Sequence, residues 1–255
     1  MPNILYQDDA LIAVYKPAGL HVHPTSMSRG EFDTVIRRLE DRLGKRLFTV
    51  QRLDRPTAGV MLFALSSDVS RDLCLRFREG NVQKTYLAVV RGIVASSGII
   101  EYRVRGPEHD SASAKPGLTE FQRVGTMEAA IPVGRYASAR FSLVEVHPKT
   151  GRFHQIRQHF HHIAHPIIGD TSHGDGTNNR LFREHFGCRR LLLAASSITF
   201  LHPISGKALS ISAPPDKELA DIFARFIPDP VQISAENPDQ SEKVRALGRI
   251  GNPSH

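Results

Sequence analysis

The stretch Gln51-Arg52-Leu53-Asp54-Arg55-Pro56-Thr57-Ala58-Gly59 sets one carboxylate, Asp54, between two guanidiniums and closes on the turn-forming Pro56 and Gly59. A carboxylate held ionised in a cleft can be a nucleophile, a base or an electrostatic stabiliser, and a nearby guanidinium keeps it charged by lowering its pKa. Arg52 and Arg55 flank Asp54, but side chains adjacent in sequence rarely face one another, so a working partner has to come from elsewhere. Arg157 is a candidate, because it lies beside the apolar stripe of a predicted helix and a half-buried arginine needs an acid. The residues alone leave a second reading open: a surface loop of ion pairs around Asp54, and an Arg157 whose stem packs on the core.

Two other groups have chemically suggestive compositions. His154, His159, His161, His162, His165 and His173 crowd one region. They lack a His-Glu-x-x-His spacing, a cysteine companion or a carboxylate ligand on the same helix, so a zinc site is not expected, and histidines facing an RNA backbone account for the cluster as well. The loop 169–179, rich in Gly, Asp and Asn, has neither the Gly-x-Gly-x-x-Gly order nor the Gly-Lys-Ser/Thr of a phosphate loop. It is expected to be a surface loop or a contact to a nucleic-acid backbone.

The elements that hold these groups follow from hydrophobic spacing. Ile4–Tyr6 and Leu11–Tyr15 read as strands, stopped by Lys16-Pro17-Ala18-Gly19. Val35, Ile36, Leu39 and Leu43 recur at helical intervals, with Asp33 as the expected cap and Gly44 as the stop. Val60-Met61-Leu62-Phe63-Ala64 is a continuous apolar run and predicts a strand buried on both faces. Ser66 opens a helix carrying Val69, Leu73 and Phe77 and closed by Gly80, on which Cys74 packs. Strands are predicted at Thr85–Val90, Ile99–Val104, Phe121–Val124 and Ala139–Val146, with a mobile loop over Gly106–Gly117. A helix over Phe153–Ile163 puts Ile156, Phe160 and Ile163 on its apolar face and His154, Arg157 and His161 on the neighbouring one. A hairpin at Ile198–Phe200 and Leu209–Ser212 and a helix through Leu219, Ile222, Phe223 and Phe226 complete the pattern. Strands with irregularly inserted helices predict an α+β fold with a large mixed sheet.

At 255 residues with 40% hydrophobic and 23% charged residues, the chain can bury a sizeable core in one domain. Residues 1–227 form the predicted domain; the apolar period is lost beyond Pro228, and 228–255 are expected to be a flexible tail. The net charge of +7 favours a polyanionic partner. No apolar run reaches the ~20 residues of a membrane span, no signal peptide opens the chain, and its two cysteines match no metal or redox spacing. A cytoplasmic protein with reduced thiols is expected.

These segments together resemble the RluA-type pseudouridine synthases, and most closely their TruC-type branch, from Ile4 to about Ala213. Arg52-Leu53-Asp54-Arg55-Pro56-Thr57-Ala58-Gly59 is similar to the family pattern His-Arg-Leu-Asp-x-x-Thr-Ser-Gly. Val14–Gly19, Lys84–Val90, Thr150–His159 and His165–Asp170 support it. The resemblance implies a pseudouridine synthase catalytic fold: a large mixed, mainly antiparallel sheet with flanking helices and a central cleft. It implies that Asp54 is the catalytic aspartate acting on a flipped uridine, that Tyr86 lies against the target base and serves in the final proton removal, and that Arg157 pairs with Asp54. Arg52 would fill the space the base leaves; Arg55, Lys16, Arg152 and His154 would contact RNA. It also implies no metal or organic cofactor and a tRNA substrate modified at uridine 65; a monomer without membrane or DNA partner is expected. A ribosomal RNA target, a silent RNA-binding protein and a histidine-metal hydrolase are the alternatives. Gln51 stands where the family has His, Ala58 where it has Ser, and Ala194 in place of a frequent His.

Overall fold

The computed structural model describes residues 2–23, 33–108 and 114–230, and its backbone is organised around one eleven-stranded sheet. Its elements are β1 (Asn3–Gln7), β2 (Leu11–Lys16), α1 (Val35–Leu43), β3 (Phe48–Thr49), β4 (Ala58–Ala64), α2 (Ser67–Glu79), β5 (Gln83–Arg91), β6 (Ser97–Val104), β7 (Lys115–Ala129) and β8 (Ala139–Pro148). Then follow α3 (Gln155–His162), α4 (Gly176–His185), β9 (Leu193–Leu201), β10 (Ala208–Ser212), α5 (Lys217–Phe223) and β11 (Ile227–Pro228). The strand order is β1-β2-β4-β9-β5-β8-β7-β11, with β10 on β9, β3 on β4 and β6 on β7. Among these strand pairs only β4–β9 is parallel, joined at Ala58↔Ala194 and Gly59↔Ala195. The fold is α+β, as the sequence pattern indicates.

The alternation of side chains along each strand divides the core between the two faces. On β4, Val60, Leu62 and Ala64 face a cluster that includes Val69 and Leu73 of α2. Met61 and Phe63 face the opposite cluster with Val35 and Leu39 of α1, which also takes in Leu53. All seven residues of β4 are buried, which is why it reads as an unbroken apolar run. Farther along the sheet, Phe141 packs with Leu181 and Phe182 of α4 and Leu219 and Ile222 of α5. On the other face, Val144 and Val146 pack with Ile156 and Phe160 of α3.

Several local expectations are corrected. Thr34, not Asp33, caps α1, its side chain accepting from the Arg37 N–H; Asp33 instead pairs with Arg38. The strand expected at 121–124 runs over Lys115–Ala129, because β6 and β8 pair along its two edges. Part of the predicted mobile loop is therefore strand, and its residues 109–113 lie outside the described residues. The loop predicted over 169–179 ends in α4, where Asp175 caps the helix through the Asn178 N–H and Leu181 and Phe182 bury its apolar face. The sheet also runs past 227: Pro228 pairs with Gly125, and Asp229 lies 2.7 Å from Arg123. The remainder of the predicted tail, 231–255, lies outside the described residues.

Candidate active site

The Asp54 loop enters the sheet at the parallel β4–β9 junction. Gly59 sits there at φ +115°, and a Cβ on it would come within 2.1 Å of the Ala195 carbonyl oxygen, so only glycine lets β4 lie this close to β9. Leu53 anchors the loop in the α1-side core, and the Thr57 N–H donates to the Asp54 carbonyl at 3.0 Å. The turn after β2 clamps it from the other side. The Gly19 N–H donates to the Arg55 carbonyl (2.8 Å) and Arg55 Nε returns a hydrogen bond to the Gly19 carbonyl (2.9 Å).

Lys16 is the third clamp. Its side chain, expected from the resemblance to contact RNA, is 0% exposed; Nζ donates to the carbonyls of Pro17 and Arg55 at 2.9 and 3.0 Å. Burial pushes its pKa down to about 7, the Asp54 charge opposing this and Arg190 and Arg55 adding to it.

Arg157 projects from α3 between two carboxylates. Its Nε and Nη2 grip Asp170 at 2.7 Å each, and Nη1 reaches Asp54 Oδ2 at 3.2 Å. Asp170 also accepts from the N–H groups of Ser172 and His173. Burial works against its charge, but the Arg157 fork and those amides outweigh it and hold its pKa below the usual carboxylate range. Asp170 is therefore the main partner of Arg157, and Asp54 takes the remaining donor while its side chain keeps 27% of its surface open. The spacing of Gly169-Asp170 after His165-Pro166 marked this loop, but not that its acid would meet Arg157. Gly169, at φ +79°, packs so tightly on the Arg190 carbonyl that a Cβ would clash at 1.8 Å.

His154 precedes α3 instead of belonging to it, with φ +50°. It stacks on Phe153, lies 3.7 Å from Asp54 Oδ2 through Nε2, and meets His173 Nε2 at 3.1 Å through Nδ1. Burial lowers its pKa to about 4, so the imidazole is neutral near pH 7. Among the described residues no group of three or more His, Cys, Asp or Glu side chains is placed to hold a metal ion.

Tyr86 reaches the site from β5, where its partner in register is Ala195, itself the partner of Gly59. A small residue and a glycine thus stand between the Tyr86 backbone and the end of the Asp54 loop. The β5–β9 register shifts between Thr85 and Tyr86, an irregularity that re-aims a side chain. Burial, reinforced by the Asp54 charge, raises the phenol pKa, so the hydroxyl stays neutral. Arg52, Arg55 and Arg152 are exposed around the loop, Arg152 Nε donating to the Pro116 carbonyl at 3.2 Å. Sequence reasoning missed two buried glutamines that build this rim. Gln155 binds the Arg152 N–H and the Leu118 carbonyl, and Gln158 exchanges two hydrogen bonds with the Arg105 backbone.

The arrangement offers a half-open carboxylate, fixed by a shared guanidinium and faced by a neutral phenol, inside a ring of cations. Residues 10–162 match the family described as RNA pseudouridylate synthase. The tRNA pseudouridine synthase C of Yersinia pestis is 43% identical over 235 residues, covering 89% of this chain and 91% of that protein. The protein of the same name from Vibrio cholerae is 40% identical over 234 residues, covering 89% and 96%. Human RNA Pseudouridylate Synthase Domain Containing 1 shares the fold, with TM-score 0.69 at 22% identity over 100% of this chain and 97% of that one.

Proposed function

This chain belongs to the RNA pseudouridylate synthase family, of the RluA type, and on that premise we propose that it modifies tRNA, at uridine 65, with Asp54 as the acting carboxylate. As a member it is an isomerase that converts uridine to pseudouridine. The reaction breaks the N1–C1′ bond of the nucleotide, turns the base and forms a C5–C1′ bond. The proton on C5 is lost and N1 gains one, so nothing is oxidised or reduced. The relatives' names support tRNA as the substrate.

The observation that carries the assignment of Asp54 is its shared guanidinium. Arg157 is held by Asp170 and offers Asp54 one donor at 3.2 Å, which keeps the carboxylate oriented while leaving an oxygen for the sugar or the base. A target base has to leave its stack to reach it, and Arg52, exposed two residues before Asp54, fills the space left behind. Tyr86 lies against the extruded base as a neutral ring, and Arg55, Arg152 and His154 contact the RNA around it. Proton removal from C5 by Tyr86 then requires the bound base to offset the burial that now disfavours phenolate.

The test is release of tritium from tRNA labelled at carbon 5 of uridine, with pseudouridines mapped in tRNA and ribosomal RNA. Asp54→Asn keeps the shape and the contact to Arg157; it should lower release by on the order of 10³-fold or more while tRNA binding survives. Full turnover by that variant would overturn the role of Asp54. A new pseudouridine in ribosomal RNA alone would overturn the tRNA assignment.

A further inference from the structure

Arg190, just before β9, has a buried hydrogen-bonding edge that nothing among the described residues uses. Its Nη1 donates to Asp216 Oδ2 at 2.5 Å, and Asp216 also takes the Tyr15 hydroxyl at 2.7 Å. Its Nε and Nη2 are buried and have no hydrogen-bond partner. These two nitrogens form the side-on fork of a guanidinium, the edge that fits two oxygens of a carboxylate or phosphate. Arg157 uses the same edge on Asp170. A buried charged donor left without an acceptor costs free energy, which a ligand that supplies two oxygens would recover.

Arg190 also lines a cavity of about 220 Å³ with Gly19, Pro56, Arg157, Asp170 and Arg189. The one acid in that set, Asp170, is already neutralised by Arg157. The other acids near Arg190, Asp216 and Glu218, lie on its Nη1 side, at 2.5 and 3.8 Å. The wall of the cavity is thus three arginines and one acid, with Asp216 and Asp54 pairing two of those arginines from outside the lining. The cavity adjoins the acting carboxylate, since Pro56 follows Asp54 by two residues and Arg157 touches both places.

We propose that this cavity is an oxyanion subsite in which the Arg190 fork, with Arg189 at its mouth, takes one backbone phosphate of the RNA next to the extruded uridine. The inference rests on the RNA-modifying reading and adds to it a fixed point on the backbone. Holding that phosphate would keep the nucleotide out of its stack while Asp54 acts, with binding energy drawn from a group that does not react.

The experiment replaces single phosphates around the target uridine with neutral methylphosphonates and measures tRNA affinity for the wild type and for Arg190→Gln. One linkage should cost the wild type roughly tenfold, about the worth of a charge-assisted hydrogen bond, and cost the variant less than about twofold. Arg190→Lys keeps a charge beside Asp216 but lacks the fork; it should lose the same coupling, and it serves if the glutamine variant does not fold. In parallel, inorganic phosphate should raise the unfolding temperature of the wild type more than that of either variant. Equal losses at every linkage in all proteins, with equal protection by phosphate, would overturn the subsite and leave Arg190 a pin for Asp216. Selective protection by phosphate without any coupled linkage would overturn its assignment to RNA. Failure to release tritium from any RNA would instead remove the functional reading, and the phosphate comparison would still decide whether the subsite exists.

Discussion

At the residue scale, charge placement in this site is governed more by burial than by sequence neighbours. Lys16 shows it most clearly: an amine with no exposed surface, tied to two backbone carbonyls under the Asp54 loop, and a pKa down at about 7. The unfolded chain holds that proton up to about pH 10.4, so above pH 7 it binds more protons than the folded one and stability rises with pH. Lys16→Met removes the titration. The difference in unfolding free energy between wild type and variant, measured in urea at pH 6.5, 7.5 and 8.5, should shift in favour of the wild type as pH rises; a constant difference would refute the buried amine as its source. The sequence marked Lys16 through Lys16-Pro17-Ala18-Gly19, yet it could not distinguish a lysine on RNA from one sealed beneath the loop. Asp54 and Arg157 were legible because a lone acid among cations and a half-buried arginine each demand a partner. Asp170 was not, since nothing local says that a loop acid 13 residues beyond Arg157 will turn back onto it.

At the element scale, the β4–β9–β5 junction brings the end of the Asp54 loop and Tyr86 together, and its small residues let it do so. Gly59, Ala195 and Tyr86 stand in register across three strands, so the ring overlooks a floor without bulk. Two departures from the family pattern, Ala58 and Ala194, are direct neighbours across the same parallel pair, both buried in the core that includes Phe141 and Phe182. This register makes them one unit: a serine at 58 and a histidine at 194 would stand side by side, where this chain has two methyl groups. Ala58→Ser alone should cost about 1–3 kcal/mol by burying a hydroxyl without a partner. Ala58→Ser combined with Ala194→His should cost at least ~0.5 kcal/mol less than the sum of the single changes, read from urea denaturation of the four proteins. Additive costs would show that the two positions changed independently. Strands with strong alternation or unbroken apolar runs were legible, β4 above all. The length of β7 was not, because Gly117 and Gly125 look like breakers until β6 and β8 pair beside them. The helix α4 was hidden by its polar opening, Gly176-Thr177-Asn178-Asn179, which only the Asp175 cap and the buried Leu181 and Phe182 turn helical.

At the scale of the whole molecule, a net charge of +7 draws RNA toward the protein, but the cations around the cleft divide into two kinds. Lys16, Arg157 and Arg190 are largely withdrawn from water and shape the site from behind. Arg52, Arg55 and Arg152 are exposed at its edge, where each can displace a counterion from a phosphate. Two of these should separate by their kinetics. Arg152 is tied to the first residues of β7 through the Pro116 carbonyl, and its proposed role is to meet the RNA backbone at encounter. Arg152→Gln should therefore weaken tRNA binding and flatten the plot of log affinity against log salt by about 0.7–0.9, with the turnover rate at saturating tRNA little changed. Arg52 sits two residues before Asp54, and its proposed role begins once the base has left the stack. Arg52→Gln should leave the unfolding temperature as it is and lower turnover at saturation by roughly tenfold or more, while affinity falls less. Single-turnover rates and salt-dependent affinities on the two variants check both statements, and equal effects of both substitutions on affinity alone would reduce Arg52 to one more phosphate contact.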